Sequence, residues 1–385
     1  MRTLKCGIIG LGYMGGSHVE AIRRLGFVEP VAVADANYDL ARRRAEEYHI
    51  PRACRTVDEL LADPEIEAVH DCTPNNLHLE VNTRIIEAGK HVFSEKPLAR
   101  TSEESGRLVA LLDRHPEIVA GLNFNYRMNP LVQEMKARVA AGEIGRPLLV
   151  HGSYLQDWLL YETDYNWRVD PEVSGPSRCV ADIGSHWIDA VQTVLGRRIV
   201  AVCADLATVH PVRRKPKGRV ETFAVNTSVE YDEIPVKTED YAAVLFEMEG
   251  GVRGVFYVSE VSAGRKCFFE FEIDGTGAAM HWNQEIADWM WLGYRDRHNC
   301  QVMRNPNLMP SAAKAYAGLA AGHPEGWNDA MRNNVNAFYR FIAERKRLGK
   351  DPCDFATFAE GHYIMKIIEA ILASGRTRGW VRVQS

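Results

Sequence analysis

The stretch CGIIGLGYMGGSH, residues 6–18, contains Gly10, Gly12 and Gly15 in a G-x-G-x-x-G spacing directly after an apolar run. The short apolar run predicts a buried strand, and the residues after Gly15 have the apolar spacing of a helix. In such a turn, Gly10 permits the tight bend, Gly12 lets the backbone approach a pyrophosphate, and Gly15 lets helix and strand pack closely. The pattern predicts a strand–turn–helix unit that binds a dinucleotide or, alternatively, a glycine-rich turn without a ligand.

An acidic residue at the expected distance favours the dinucleotide. Asp35 lies twenty residues after Gly15, at the end of the apolar run VAVAD. Its carboxylate can accept hydrogen bonds from ribose hydroxyls and would repel a 2′-phosphate. The predicted helix start, with Tyr13 and Met14 between the last two glycines, offers N–H groups and a positive dipole end to the phosphates. We therefore expect NAD as the cofactor, with NADP as the alternative if neighbouring side chains offset the repulsion.

The order of predicted elements changes near residue 122. Before it, strand candidates such as PVAVAD, EAVHDCTP and HVFSEKP alternate with helix candidates, which predicts a parallel sheet covered on both faces. After it, strand candidates such as KCFFEFEI and the hairpin DYAAVLFEMEGGVRGVFYVSE follow one another, and two helices close the chain. We expect an α/β protein with a dinucleotide-binding domain over 1–122. Over 123–385 we expect an α/β domain with a large, mostly antiparallel open sheet, whose last helix is a candidate to pack back on the first domain.

Composition excludes several classes of function. The 46 basic and 51 acidic residues give a net charge of −5, without the excess of basic residues that nucleic-acid binding needs. The basic cluster RRKPKGR, residues 213–219, is predicted to be a solvated loop. Eight cysteines are scattered singly, so we expect no disulfide or zinc knuckle and a reducing compartment. No signal-peptide pattern and no long apolar stretch occur, which predicts a cytoplasmic protein without a membrane partner.

Two segments carry candidate chemistry. Lys96, in SEKPL, follows a predicted parallel strand, where ligands bind in open sheets, and can hydrogen-bond a substrate oxygen. In VADIGSHWIDAV, Asp182 and His186 are one helical turn apart on a polar face that we expect to point away from the core. A carboxylate and an imidazole so spaced suit proton transfer with a hydroxyl. The alternatives are a solvated lysine, a hydrogen-bonded structural histidine and a metal site; without a third ligand nearby we predict no metal.

Six short motifs follow one another along the chain: GIIGLGYMG, CTPNNLH, EKPL, NYRMNP, NWRVD and DIGSHWID. In this order and spacing they resemble the glucose-fructose oxidoreductase / inositol dehydrogenase / rhizopine-catabolism (Gfo/Idh/MocA) family over nearly the whole chain. The resemblance implies an N-terminal Rossmann domain and a C-terminal α/β domain whose open sheet commonly mediates oligomers. It also implies the NAD-dependent oxidation of a sugar or cyclitol hydroxyl by a homodimer or homotetramer.

The resemblance also implies roles for individual residues. Lys96 is similar to the E-K-P lysine that contacts the reacting hydroxyl, His186 to the proton acceptor of the D-x-x-x-H pair, and Asp182 to its orienting carboxylate. Besides Gly10, Gly12, Tyr13, Met14, Gly15 and Asp35, the implied cofactor contacts are Thr73, Pro74, Asn75, His78, Glu95, Lys96, Arg127, Trp167 and Arg168.

The candidate substrate contacts are polar or aromatic side chains suited to a sugar, whose C–H face packs on rings and whose hydroxyls bind amides and acids. Besides Asp182 and His186, they are Tyr126, Gln156, Asp157, Arg178 and His323. Arg178 lies in GPSRCVAD, where the family commonly has a glycine-rich segment. It is therefore a candidate to influence which substrate is bound. Trp158 and Trp167 fit either a sugar-binding or an ordinary core position.

The segments SYLQDWLLYETDYNWRVD and HPEGWNDAMRNNVNAFY are similar to the pyranoside-oxidising branch of the family. This similarity favours oxidation of a secondary hydroxyl of a sugar, anhydrosugar or glycoside, with C3 as a candidate position. Three alternatives stay open. They are an inositol dehydrogenase, an NAD-dependent glycoside hydrolase that oxidises C3 transiently before elimination, and a non-catalytic NAD-binding sensor.

Overall fold

The computed structural model describes residues 2–217 and 230–384 of the chain. The chain forms two compact units, Met1–Met128 with Asn328–Met365, and Asn129–Trp327 with Lys366–Ser385. These units are defined by how the chain packs. The division predicted at residue 122 is a different one, between a cofactor-binding and a substrate-binding domain. That functional division stays a prediction.

Among the described residues, the first unit contains a seven-stranded sheet in the order β17-β6-β5-β4-β1-β2-β3. Its strands are β1 (Leu4–Ile9), β2 (Val28–Ala34), β3 (Arg52–Cys54), β4 (Ala68–Asp71), β5 (His91–Ser94), β6 (Ala120–Leu122) and β17 (Ala356–Thr357). The helices that alternate with them are α1 (Tyr13–Arg23), α2 (Tyr38–Glu47), α3 (Val57–Leu61), α4 (Asn75–Glu87) and α5 (Ser102–Leu112). Two later helices are α10 (Trp327–Ala343) and α11 (Phe358–Thr377), and from Lys366 onward α11 belongs to the second unit. Strands β1–β6 are parallel and only β17 runs antiparallel, which confirms the predicted Rossmann domain.

Local sequence signals explain where several of these helices begin. Thr101, Thr56 and Asn37 each accept a hydrogen bond from a backbone N–H in the first turn of α5, α3 and α2. The predictions missed β3 and α3, because segments of three and five residues are too short to show a period.

In the described part of the second unit, a nine-stranded sheet has the order β16-β15-β14-β13-β7-β12-β11-β8-β18. Its strands are β7 (Pro147–Leu155), β8 (Ile199–Ala207), β11 (Tyr241–Met248), β12 (Arg253–Ser259), β13 (Phe268–Gly275), β14 (Ala279–Asn283), β15 (Trp289–Gly293), β16 (Cys300–Met303) and β18 (Val381–Arg382). A separate two-stranded ribbon pairs β9 (Val212–Pro216) with β10 (Tyr231–Pro235). The helices are α6 (Pro130–Ala140), α7 (Pro171–Ser174), α8 (Ser185–Leu195) and α9 (Ser311–Lys314). Every neighbouring pair in the large sheet is antiparallel except β7 with β12, which confirms the predicted architecture.

One face of the large sheet is packed and the other is open. Phe269, Phe271 and Ile273 of β13 are fully buried, as their alternation predicts. Trp187 of α8 packs on this face, where its ring stacks on Phe256 at 4.6 Å. The hairpin predicted at Gly250 and Gly251 is also confirmed. The opposite face exposes Leu149, Leu245, Val255 and Tyr257.

The basic cluster RRKPKGR differs from its prediction as a solvated loop. Residues 212–216 form strand β9, and the Arg213 side chain is fully buried. Its guanidinium donates to Asp240 at 2.7 Å and to the carbonyls of Leu159, Tyr161 and Asp164. The buried carboxylate of Asp240 therefore holds the Arg213 side chain inside the protein. The sequence near Arg213 does not indicate this distant partner. Residues 218 and 219 of the cluster lie outside the described residues.

No helix within residues 2–217 and 230–384 combines the length and apolar character that crossing a bilayer requires.

Candidate active site

The glycine loop has the geometry that its spacing predicts. Gly10 has φ of +87°, and a Cβ there would lie 2.6 Å from the Cys72 carbonyl oxygen. A Cβ on Gly15 would lie 2.2 Å from the Gly10 carbonyl oxygen, so helix and strand approach as closely as glycine permits. Gly12 is different, because a Cβ there meets nothing within 4 Å. Gly12 is also the N-cap of α1, and as a glycine it has no side chain with which to cap that helix. Open space at this helix start fits a pyrophosphate.

Asp35 follows β2, and backbone N–H groups fix its carboxylate. One oxygen accepts from Leu11 N of the glycine loop and the other from Asn37 N, both at 2.8 Å. Each carboxylate oxygen can accept a further hydrogen bond. The residues present therefore fit the phosphates and ribose of NAD.

Alanine at Gly12 and alanine at Gly15 are expected to have opposite effects. Gly12→Ala should leave the free energy of unfolding within about 0.5 kcal/mol of wild type but weaken NAD binding at least about tenfold, because the methyl occupies the phosphate space. Gly15→Ala should lower the unfolding free energy by about 1–3 kcal/mol, because its Cβ clashes with the loop carbonyl. Urea denaturation and NAD titration measure the two quantities. Unaltered NAD affinity in Gly12→Ala would contradict the assignment.

The loop after β4 is braced by side chains. Thr73 donates to Asp71 Oδ1 through its N–H at 3.0 Å and its hydroxyl at 2.6 Å. The buried His78 contacts the Thr73 carbonyl at 2.9 Å and the Pro97 carbonyl at 2.8 Å, so it joins this loop to the E-K-P segment. Pro74 and Asn75 lie at the start of α4. His78 thus shapes the loop, and its direct contact with a cofactor stays a prediction.

The E-K-P segment follows β5 directly. Lys96 is half-buried, whereas Glu95 is buried and accepts hydrogen bonds from His18 at 2.8 Å and Asn123 at 2.6 Å. The Glu95 N–H donates to the Asp71 carbonyl at 2.8 Å, which ties the ends of β4 and β5 together. The Glu95 carboxylate therefore points into the protein, and the predicted Glu95–cofactor contact stays a prediction.

Arg127 and Tyr126 lie in a 3₁₀ turn at Asn125–Met128 and are both buried. The Arg127 guanidinium donates to Glu360 Oε1 at 3.2 Å from both terminal nitrogens. This placement favours a structural role for Arg127 over the predicted contact with the cofactor.

In the second unit, Asp182 and His186 lie where two helix types meet. Asp182 is in a π-helical turn, Val180–Gly184, and His186 is in the first turn of α8. Such turns often occur at functional sites. The predicted outward polar face is wrong in part, because Asp182 keeps 15% of its side-chain surface exposed but His186 is buried. Most side chains of α8 are buried. The helical spacing of Asp182 and His186 shows that they share a face, but it cannot show whether other parts of the protein cover that face.

Arg168 holds the Asp182 carboxylate. Its Nε donates to Asp182 Oδ1 at 3.1 Å, and its guanidinium carbon lies 4.4 Å from the centre of the Trp167 ring. Asn166 Oδ1 accepts from the Arg168 N–H at 3.1 Å, which fixes the turn that carries both residues. The NWR motif and the D-x-x-x-H motif are therefore one arrangement. Arg168 was predicted as a cofactor contact, and in the structure its guanidinium contacts the carboxylate of Asp182, the candidate orienting residue.

A buried ionic cluster supports the π-helical turn. Arg178 is fully buried and forms an ion pair with Asp240, and its Nη1 lies 3.3 Å from Glu260 Oε2. Glu239 Oε1 accepts from the backbone N–H groups of Arg178 and Val180 at 3.0 and 3.1 Å. This placement favours a positioning role for Arg178 over the predicted contact with substrate. Sequence reasoning missed the three acids, because TED at 238–240 and the lone glutamate after β12 match no motif.

The buried Glu260 is expected to make stability depend on pH. Burial raises the pKa of the Glu260 carboxyl to about 8. The charge of Arg178 opposes this rise in pKa, and the charge of Asp182 adds to it. The folded state then keeps a proton that an unfolded glutamate loses above its ordinary value of 4.5, so stability falls as pH rises between these values.

Glu260→Gln should therefore flatten this slope. Urea midpoints at about pH 5 and about pH 8 measure it, and Glu247→Gln, at a partly exposed carboxylate, should keep the wild-type slope. An unchanged slope in Glu260→Gln would contradict the effect assigned to this carboxyl.

The remaining candidate substrate residues have mixed surroundings. Asp157 accepts from Lys266 Nζ at 2.7 Å and from Gly264 N at 3.0 Å, and Gln156 Nε2 lies 3.5 Å from the Tyr154 hydroxyl. His323 is exposed, and its carbonyl accepts from Arg304 at 2.6 Å.

Within the described residues, His151, Glu272 and Asp274 form a group of possible metal ligands within 4.8 Å of one another on the open sheet face. None of the candidate site residues belongs to that group.

Comparison with known proteins agrees with these features. Residues 4–122 match the family described as "Oxidoreductase family, NAD-binding Rossmann fold", and residues 132–281 match the "GFO/IDH/MocA C-terminal domain". A levoglucosan dehydrogenase from Pseudarthrobacter phenanthrenivorans is 30% identical over 100% of this chain and 99% of its own. An inositol 2-dehydrogenase from Salmonella typhimurium is 29% identical over 50% of this chain and 55% of its own.

The structural comparison covers both units. A levoglucosan dehydrogenase in complex with NADH and L-sorbose has a TM-score of 0.89 and 28% identity, with 100% of both chains covered. A levoglucosan dehydrogenase in complex with NADH and levoglucosan has a TM-score of 0.88 and 27% identity, again over the full length of both chains. Both matched domains and a relative that aligns over its full length show the same family, and the glycine loop agrees with it. The chain therefore belongs to the GFO/IDH/MocA family of NAD-binding oxidoreductases.

Proposed function

We propose that this protein is an NAD-dependent dehydrogenase that oxidises a secondary hydroxyl of a sugar, an anhydrosugar or a glycoside, with C3 as the candidate position. The observation that carries the proposal is the full-length likeness to a levoglucosan dehydrogenase, 30% identical in sequence. The relatives named inositol 2-dehydrogenase align with about half of the chain and support a hydroxyl substrate more generally.

The proposed reaction assigns one role to each of three side chains. His186 accepts the proton of the reacting hydroxyl, and Lys96 stabilises the negative charge that develops on its oxygen. Asp182, held by Arg168 at 3.1 Å, orients the substrate and the imidazole. NAD⁺, when bound, supplies the acceptor for the hydride that leaves the carbon. Each group is most effective in the transition state, so its removal should lower turnover more than binding.

Binding of the two ligands is proposed to use the remaining candidates. The cofactor is bound by the glycine loop, by Asp35 and by the loop that begins at Thr73. The sugar is bound by Tyr126, Gln156, Asp157 and His323. The open face of the large sheet, which exposes Leu149, Leu245, Val255 and Tyr257, is proposed to pair with a second copy in a homodimer or homotetramer. Light scattering of the purified protein measures that state, and a monomer would exclude it.

Cofactor choice is expected to depend on Asp35. Asp35→Ser should lower the ratio of kcat/KM for NAD⁺ to that for NADP⁺ by about tenfold or more, because the repulsion of the 2′-phosphate is removed. Asp39→Ser, at an exposed acid of α2, serves as the control and should leave the ratio unchanged. A strong preference for NADP⁺ in the wild type would contradict the assigned role.

A substrate panel tests the proposed reaction. Monosaccharides, anhydrosugars, inositols and aryl glycosides are incubated with NAD⁺, and NADH absorbance is followed beside aglycone release. Stoichiometric NADH from a sugar or anhydrosugar supports the proposal. NADH from inositols alone would show a cyclitol dehydrogenase, and aglycone release with catalytic NAD⁺ would show a glycoside hydrolase. Cofactor binding with no turnover of any substrate would favour a sensor.

A further inference from the structure

Three side chains that can bind a metal ion lie together on the open face of the large sheet. His151 on β7 pairs directly with Glu272 on the neighbouring strand β13, and Asp274 follows two residues later on the same face. His151 Nε2 lies 3.9 Å from Glu272 Oε1 and 3.7 Å from Asp274 Oδ2. All three ligand atoms lie within 4.8 Å of one another. The proposed reaction uses none of these residues.

The distances suit a shared ion better than direct hydrogen bonds. Both distances from the imidazole are longer than the roughly 2.7–3.2 Å of a hydrogen bond between nitrogen and oxygen. Nitrogen and oxygen ligands that lie about 2.1 Å from a tetrahedral Zn²⁺ ion are about 3.4 Å apart. Rotation of the two carboxylate side chains, both of which are partly exposed, can bring the three ligand atoms to this spacing.

The charges of the group also favour a divalent cation. Burial raises the pKa of Glu272, and the negative charge of Asp274 raises it further. The opposing effects of His151 and His281 on this pKa are smaller. Two neighbouring carboxylates share one imidazole, which even when protonated offsets only one of their charges. A divalent cation would offset both.

A second histidine and acid on the same face are differently arranged. His281 on β14 pairs with Glu272 on the side away from β7, but its Nε2 lies 3.1 Å from Glu270 Oε2, within hydrogen-bond distance. Glu270 Oε1 also accepts from the Ser153 hydroxyl at 2.9 Å. His281 and Glu270 therefore contact each other directly and stand beside the three-residue group.

The kind of ligands indicates which ion the group would bind. Mg²⁺ and Ca²⁺ prefer oxygen ligands alone, and about six to eight of them. An imidazole nitrogen with carboxylate oxygens is a ligand set typical of zinc sites that keep one position open. His151 is 47% exposed, so the outer side of the group is accessible to water.

We propose that His151, Glu272 and Asp274 form a Zn²⁺ site on the open sheet face, with water as the fourth ligand. The ion would join β7 to β13 through side chains, in addition to their backbone hydrogen bonds. The site goes beyond the proposed function, because none of its ligands is a candidate cofactor or substrate contact. Its ligands escaped the sequence analysis because they lie on strands far apart in the chain.

Calorimetric titration of the chelator-treated wild-type protein with Zn²⁺ tests the site without NAD or sugar. One Zn²⁺ per chain should bind, and an equal concentration of Mg²⁺ or Ca²⁺ should not displace it. His151→Gln and Asp274→Asn should each weaken this binding at least about 100-fold, since loss of even an outer partner of a metal ligand costs about 10–100-fold. Wild-type Zn²⁺ affinity in His151→Gln would overturn the proposal.

His281→Gln is the matched control, because it removes a histidine from the same sheet face but from outside the group. Its Zn²⁺ affinity should stay within about threefold of wild type, as expected for a contact between partly exposed side chains. A loss as large as that in His151→Gln would overturn the assignment of the three ligands.

Cobalt spectroscopy distinguishes this site from the free cysteines. Co²⁺ bound in place of Zn²⁺ should show the visible bands of a tetrahedral ion without the near-ultraviolet band of a thiolate ligand. A thiolate band at one equivalent of Co²⁺ would place the ion on a cysteine and overturn the proposal.

Urea unfolding checks that the variant folds and that the ion stabilises the sheet. Without Zn²⁺, His151→Gln should have the wild-type midpoint, because the residue is partly exposed. With Zn²⁺, the midpoint should rise in the wild type and not in the variant, since an ion that binds only the folded state stabilises it. An equal rise in both would overturn the proposal. Failure of the wild type to bind Zn²⁺ would overturn this inference alone and leave the proposed function intact.

Discussion

Lys96→Met is expected to lower kcat for sugar oxidation by about 10²–10⁴-fold while the protein still binds NAD. The lysine directly follows β5 and is half-buried at the carboxyl end of the parallel sheet, where ligands bind in this class of fold. In the proposed reaction, its ammonium group stabilises an oxygen that becomes negative only as the proton and hydride leave. Methionine preserves the length and volume of the side chain but removes this charge.

Steady-state kinetics with the best sugar of the panel measure this loss, and a NAD titration checks the fold of the site. Lys5→Met is the matched control, because Lys5 is a partly exposed lysine that pairs with Glu65 at the surface. It should leave kcat unchanged, since exposed ion pairs contribute about 0–1 kcal/mol to stability and nothing to the reaction. Wild-type kcat in Lys96→Met would exclude Lys96 from catalysis.

Asp240→Asn is expected to lower the free energy of unfolding by about 3–5 kcal/mol. Asp240 is fully buried and pairs with both Arg178 and Arg213, whose side chains are also fully buried. Burial alone would raise its pKa, but the two guanidinium groups lower it below its ordinary value, so the carboxylate is charged. Asparagine would leave two buried cations without their shared anion.

Urea denaturation measures the loss, with an unchanged m-value as the sign that both variants unfold in the same way. Asp205→Asn is the matched control. Asp205 also pairs with an arginine, Arg378, but these two side chains are 62% and 70% exposed. Its removal should cost less than about 1 kcal/mol. Similar losses in the two variants would contradict the importance of burial in the Asp240 cluster.

The predictions from sequence succeeded where chemistry depends on neighbours along the chain. The glycine loop is the clearest case, since a positive φ at Gly10 and close packing at Gly15 follow from residue type and spacing alone. Strand β13 and the hairpin at Gly250 also follow from local period and turn residues. The family resemblance then added the candidate roles of Lys96, Asp182 and His186, which stay predictions.

Residues with distant partners were predicted less well. Arg213 was expected in a solvated loop but is buried on Asp240, and Arg178 was expected to contact substrate but lies in the same cluster. The contacts of Arg168 with Asp182, of His18 with Glu95 and of His18 with His70 were not predicted either. A charged side chain looks the same in a sequence whether it is solvated or buried.

The two kinds of sheet, the dinucleotide loop and the family could be predicted from the amino-acid sequence, because they depend on short-range periodicity, glycine geometry and motif order. Which ionisable groups are buried together became visible only in the folded chain, because an ion pair forms wherever the fold brings opposite charges out of water. In this protein Arg168 holds the Asp182 carboxylate, the acids around Arg178 hold the turn that carries Asp182, and His18 and Asn123 hold Glu95. The electrostatics of the candidate site therefore depend on contacts that the fold creates.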